Sequence, residues 1–170
     1  MTLKRMTRIA LLAAMCVVSR YLFGAFPNVK PMTAIFFISS LFFGFFDGFL
    51  IMFICMLVTS FIFGFGIWVY FQIIAYTLIL LLWTILKLIL TKHTRFVIMK
   101  NVMIRGIVAG MLAFLYGFII DFINAVFFHL PWWGYVLNGL TFNLAHSVST
   151  ILFYPLIFEA FRRLGYEENL

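Results

Sequence analysis

Charge is what this sequence has least of. Asp and Glu number five and Lys and Arg twelve, so charged residues make up 10% of 170, against about 25% in a soluble domain. With 66% of the chain hydrophobic, too little polar surface remains to face water. A soluble domain is excluded, and a single compact, polytopic membrane domain over residues 1–170 is expected. The five acids offer no paired carboxylates, and the sequence holds no HExxH, no GxSxG and no G-x-x-x-x-G-K-[ST] phosphate loop. These absences argue against an intramembrane enzyme and leave any use of ATP to another chain. His146-Ser147 and Ser149 make no dyad, because i and i+1 positions diverge on a helix. Cysteine is also scarce. Cys16 and Cys55 both fall in apolar runs and read as buried thiols with no disulfide, metal or nucleophilic role.

What is present is apolar and aromatic: 21% aromatic residues, 24 of them Phe. A helical crossing needs about 20 mostly apolar residues. Six segments qualify: Ile9–Phe26, Met32–Asp47, Gly48–Phe65, Ile67–Leu90, Ile104–Phe128 and Gly134–Phe161, with a tight turn expected at Asp47-Gly48. The fold class that follows is an all-α membrane protein, a compact bundle of six transmembrane helices with both termini on one side. KRMTRIALLAAMCVV at the start resembles a signal peptide, but no A-x-A site follows, so it is kept as a helix.

The basic residues orient the bundle. Lys4, Arg5 and Arg8 precede the first span, Lys87, Lys92, Arg95, Lys100 and Arg105 surround the fourth connection, and Arg162 and Arg163 follow the sixth span. Only Arg20 and Lys30 fall toward the other face. The positive-inside rule makes the crowded face, and both termini, cytoplasmic. The net charge of +7 is therefore topological and implies no nucleic-acid partner. The linker TKHTRFVIMKNVMIR could touch anionic membrane lipid, though topology explains its charge at less cost. His93 within it reads as solvated.

Polar groups inside a bilayer are costly, roughly 2.5–3.5 kcal/mol for Arg or Asp at a helix centre. Here they gather toward the outer face. Arg20 ends span one, with Asn28 and Lys30 in the loop beyond it, and Trp68, Tyr70 and Gln72 open span four. Asp121 and Asn124 close span five. His129, Trp132 and Trp133 form the next loop, and Asn138, Asn143 and His146 descend into span six. An outward-open, mostly apolar and aromatic pocket with a few placed polar groups accounts for this shared depth. Blander readings stand beside it. The Trp and Tyr residues could form an interfacial belt, Arg20 could pair with Asp121, and Asn124, Asn138 and Asn143 could bond neighbouring helices. His146 reads as a satisfied interior histidine rather than a metal ligand. Small residues recur four apart as Ala10/Ala14, Ser40/Gly44/Gly48 and Gly106/Gly110, rows that let helix backbones approach closely. The last two rows suit internal packing, whereas Ala10/Ala14 sits beside the basic end, within reach of a partner.

Six helices in 170 residues, an R-x-A-x-x-A-A start at Arg8–Ala14 and the polar loop PNVKP together resemble the substrate-binding S component of energy-coupling factor (ECF) vitamin transporters. The resemblance covers essentially the whole chain and implies several things. The chain would bind a vitamin or metal ion from outside, a vitamin being the preferred reading, in the plasma membrane of a bacterium, with no cofactor of its own; no residue is assigned as a metal ligand. Ala10 and Ala14 would dock on a transmembrane coupling subunit driven by two ATPase subunits that use the ATP. Asn28, Val29 and Lys30, stiffened by Pro27 and Pro31, would gate the site. The loop looks most like the cobalamin-binding members. Pantothenate is the runner-up, with folate and riboflavin also open, and a small stand-alone transporter or channel is the rival outside the family.

Overall fold

A computed structural model describes residues 1–92 and 101–166. The expected solvation of His93, and the positions of Arg95 and Lys100, lie outside the described residues. Among the described residues six helices follow one another: α1 Leu3–Leu22, α2 Met32–Phe43, α3 Phe45–Phe63, α4 Ile67–Lys92, α5 Val102–Phe127 and α6 Trp132–Arg163. Thr2 caps α1 and Asn101 caps α5, each accepting from backbone N–H groups of the first turn, which are otherwise orphaned. The N-terminal basic residues are therefore helical, and α1 begins earlier than the expected Ile9.

The break between α2 and α3 falls at Gly44 rather than at Asp47-Gly48. Gly44 has φ +93°, a conformation open to glycine at little cost. Asp47 and Gly48 lie inside the first turn of α3. Asp47 is buried and ion-paired to both Arg5 and Arg8, with Arg8 Nη2 2.6 Å from Oδ2. A carboxylate in the first turn also meets the positive end of the helix dipole. Gly48 is needed for packing, since a Cβ there would sit 2.8 Å from Ser40 Cβ on α2.

Helix α2 is the axis of the molecule. Met32 to Phe42 are all buried, and α2 packs against each of the other five helices. At 12 residues it is about 18 Å long, short of a hydrocarbon core of roughly 30 Å. It can be short because it meets protein on every side instead of lipid. Four helices are long and apolar enough to cross a membrane, namely α3 to α6. Helix α1 carries Lys4, Arg5, Arg8 and Arg20 within its 20 residues.

Contacts fix which ends lie together. Phe43 packs on Phe161 and Tyr166, Lys87 Nζ donates to Leu41 O at 3.3 Å, and the Arg105 guanidinium lies 4.9 Å from the Phe158 ring centre. With the Arg5/Arg8–Asp47 pairs, these gather the basic residues and both helical termini at one end of the bundle. At α5–α6, Gly106 and Gly110 face Tyr154 and Ile151, and Ser147 Oγ donates to Gly110 O at 2.8 Å. Both internal small-residue rows thus mark close helix approaches. Ala10 and Ala14 point outward, while Ile9, Ala13 and Cys16 face the core.

Candidate ligand-binding site

At the opposite end, three helices turn a polar stripe inward. Gln72 and Tyr76 stand one turn apart on α4, as do Gly117 and Asp121 on α5. Gly139, Asn143 and His146 follow an i, i+4, i+7 spacing on α6 and share one face. These stripes line two adjoining chambers that share Asn28, Gln72, Tyr116 and His146. The inner chamber, about 70 Å³, is completed by Arg20, Lys30, Met32, Met56 and Tyr76. The outer, about 210 Å³, adds Gly117, Ile120, Asp121, Gly139, Phe142 and Asn143.

The inner wall is a hydrogen-bonded knot. Thr33 Oγ1, on α2, lies 2.8 Å from both the Tyr76 hydroxyl and His146 Nε2, so one side chain ties α2, α4 and α6. The Tyr116 ring stacks on Tyr76 with centroids 3.9 Å apart and meets His146 edge-on at 5.4 Å. Fully satisfied buried networks of this kind hold side chains in one arrangement.

Charge is divided between the chambers. Arg20 Nη1 donates to Thr59 Oγ1 at 2.6 Å, with Met56 Sδ at 3.3 Å. Asp121 Oδ2 accepts from Asn143 Nδ2 at 2.7 Å. The expected Arg20–Asp121 pair is not formed; each group instead bonds a neutral partner, Thr59 for Arg20 and Asn143 for Asp121. Two glycines make room for the carboxylate–amide pair: a Cβ on Gly117 would collide with the Asn143 side chain, and one on Gly139 with the Asp121 carboxylate. Lys30 joins Arg20 at the inner chamber, and burial, then repulsion from Arg20, lower its pKa from the ordinary lysine value.

The loop between α1 and α2 closes over this end. Asn28 takes a left-handed conformation, φ +56°, one that asparagine tolerates better than most residues, and its Nδ2 donates to Phe142 O at 3.0 Å. The Lys30 backbone N–H donates to Ser149 Oγ at 2.9 Å, and that hydroxyl donates back to Lys30 O at 3.2 Å. Three hydrogen bonds thus seat the loop on α6.

Of the expected site residues, Arg20, Asn28, Lys30, Gln72, Asp121, Asn143 and His146 converge on these chambers. Asn124 is buried and donates to Ile120 O one turn back on its own helix. Trp68, Tyr70, His129, Trp132, Trp133 and Asn138 are exposed and line neither chamber. Trp132 and Trp133 stack on one another, and Asn138 borders a separate surface hollow with Tyr135. The sequence reading passed over Thr33, Met56, Tyr76, Tyr116 and the two glycines. Tyr76 could have been found one helical turn below Gln72. Among the described residues no three His, Cys, Asp or Glu side chains are grouped as metal ligands.

A helical membrane bundle with a polar double chamber at one end and an outward-facing small-residue row at the other is built as a ligand-binding transport subunit. The profile of the ECF-type riboflavin transporter S component matches residues 1–163, and the chain belongs to that family. No curated protein and no solved structure matches it. The expectation of a cobalamin-binding member finds no support, since the family matched is the riboflavin type. The PNVKP loop places Asn28 and Lys30 at the chambers and also bonds to α6, an arrangement that by itself does not favour cobalamin over a flavin.

Proposed function

We propose that this chain captures riboflavin, or a flavin closely like it, on the outer side of a bacterial plasma membrane. It would pass the ligand inward while docked on a coupling subunit powered by two ATPase subunits. The observation that carries this reading is the double chamber beneath the 23–31 loop, in a chain whose family is the riboflavin type. A flavin has an aromatic ring system with a carbonyl-rich edge and a polyhydroxyl tail. Arg20, Lys30, Asn28 and Gln72 offer donors suited to carbonyls, Tyr116 and His146 offer aromatic surface, and Asp121 with Asn143 suits hydroxyl donors. The two chambers together approach the small end of the usual ligand-site range, roughly 300–1,000 Å³. They suit a flavin far better than a corrinoid. The basic end is cytoplasmic by the positive-inside rule, and release of the loop from Phe142 and Ser149 would open the site to the outside.

Titration calorimetry of the purified chain against riboflavin, cobalamin and pantothenate tests the reading. Riboflavin should bind and the other two should be silent; a silent riboflavin arm would overturn it. Asp121→Ala sharpens the test. A hydrogen bond to a charged group contributes about 1.5–3 kcal/mol, so riboflavin affinity should fall roughly 10- to 150-fold. Lumiflavin, which keeps the ring but lacks the polyhydroxyl tail, should bind the variant as it binds the parent. Equal losses for both flavins would remove Asp121 from the tail's site.

A further inference from the structure

At the basic end, on the outer face of α1, lies a hollow of about 420 Å³ lined by Leu3, Lys4, Thr7, Arg8, Leu11 and Tyr166. It is unrelated to the vitamin chambers, and its chemistry is two-sided. Leu3 and Leu11 are 80% and 66% exposed, which leaves an apolar wall that nothing among the described residues covers. Lys4 and Arg8 form the polar rim. Arg5 and Arg8 share the single carboxylate of Asp47, and no carboxylate among the described residues pairs with Lys4. Among the described residues, three cations therefore stand against one acid at this corner. Thr7 Oγ1 is already committed to Leu3 O at 3.0 Å.

We propose that this hollow holds the headgroup of an anionic phospholipid. The occupant must be apolar along Leu11 and negative beside Lys4 and Arg8, and the two parts must be about one to two helical turns apart. The uninterrupted apolar run Ile9–Ala14 of α1 begins directly after Arg8, which sets Lys4 and Arg8 at headgroup depth when that run lies in hydrocarbon. Basic hollows at the cytoplasmic ends of membrane helices recognise anionic headgroups in this way, and Tyr166 presents an aromatic ring suited to the interface. Leu3, Thr7 and Leu11 continue the exposed stripe of Ala10 and Ala14, so lipid and coupling subunit compete for one face. The lipid occupies α1 while the chain is solitary and leaves when it docks.

Native mass spectrometry of the full chain, delipidated in detergent and offered equal phosphatidylglycerol and phosphatidylcholine, tests this. The parent should retain one phosphatidylglycerol with roughly five-fold preference, the value of one basic residue at an anionic surface. Lys4→Gln should abolish the preference, and Leu11→Phe, which fills the apolar wall, should reduce retention of both lipids. Unaltered vitamin binding confirms that each variant is folded. Soluble glycerol phosphate should not compete, because it lacks the apolar part. Equal retention of both lipids by the parent, or an undiminished preference in Lys4→Gln, would overturn the proposal. A parent without preference whose Lys4→Gln variant instead fails to capture the coupling subunit would assign the hollow to that protein.

Discussion

Removing both arginines that hold Asp47, as Arg5→Ala with Arg8→Ala, is expected to destabilise the fold by about 3–5 kcal/mol, the cost of leaving a buried charge unpaired. Asp47 is 1% exposed, whereas Arg5 and Arg8 are 39% and 25% exposed. The asymmetry sets the direction. Stripping the arginines leaves a deeply placed carboxylate without its counter-charges, while deleting the carboxylate frees two guanidiniums that can rehydrate. Asp47→Asn alone should therefore cost less than the double variant, and adding it to the double variant should restore part of the loss. Thermal unfolding of the four proteins in one detergent measures the cycle. If the double variant melts with the parent, the ion pairs do not hold α1 to α3. The Arg8 guanidinium also lies 3.7 Å from the Phe43 ring centre, so its loss removes packing as well as charge.

The second large effect concerns the face that α1 turns outward. Ala10→Phe with Ala14→Phe should eliminate co-purification of the coupling subunit and ATPases in mild detergent, while the solitary chain binds its vitamin unchanged. Both alanines are exposed, so bulky replacements at them point away from the packed core of the described residues. Between helices in lipid, where close backbone approach supplies the attraction, two phenyl rings hold the partner several ångströms away. A complex that survives both substitutions would show that docking occurs elsewhere. Loss of vitamin binding alongside the complex would show that α1 cannot bear the change even alone.

How much of this was legible beforehand differs between features. Arg20, Lys30, Asp121 and His146 announce themselves because a charged or polar group in an apolar run is expensive wherever it lies, so its presence already points to a partner or a cavity. Depth was legible too, since it is counted along the helix. Azimuth was not. Trp68, Tyr70 and Gln72 begin the same helix at similar depth, yet only Gln72 faces the chambers, because the direction a residue faces depends on how the whole helix is rotated against its neighbours. Tyr76 and Tyr116 were hidden for another reason: among so many aromatics, two rings that line a site carry no distinguishing mark. The pairing of Arg20 with Asp121 was a plausible guess from depth alone and failed; the two groups bond Thr59 and Asn143 instead.

The sequence by itself determined that this is a multi-pass helical membrane protein, that its basic residues collect at one end, and that its vitamin-carrier resemblance spans the chain. The first two follow from composition and spacing along the chain and the third from a likeness of motifs, none of which needs a neighbour to be read. Only the tertiary structure decided that the short α2 is wrapped by the other five helices, that Gly44 and not Asp47 makes the turn, and which of the polar side chains meet around Thr33. Those outcomes turn on helix rotation and on contacts between residues a hundred positions apart, and such contacts exist only once the bundle has closed.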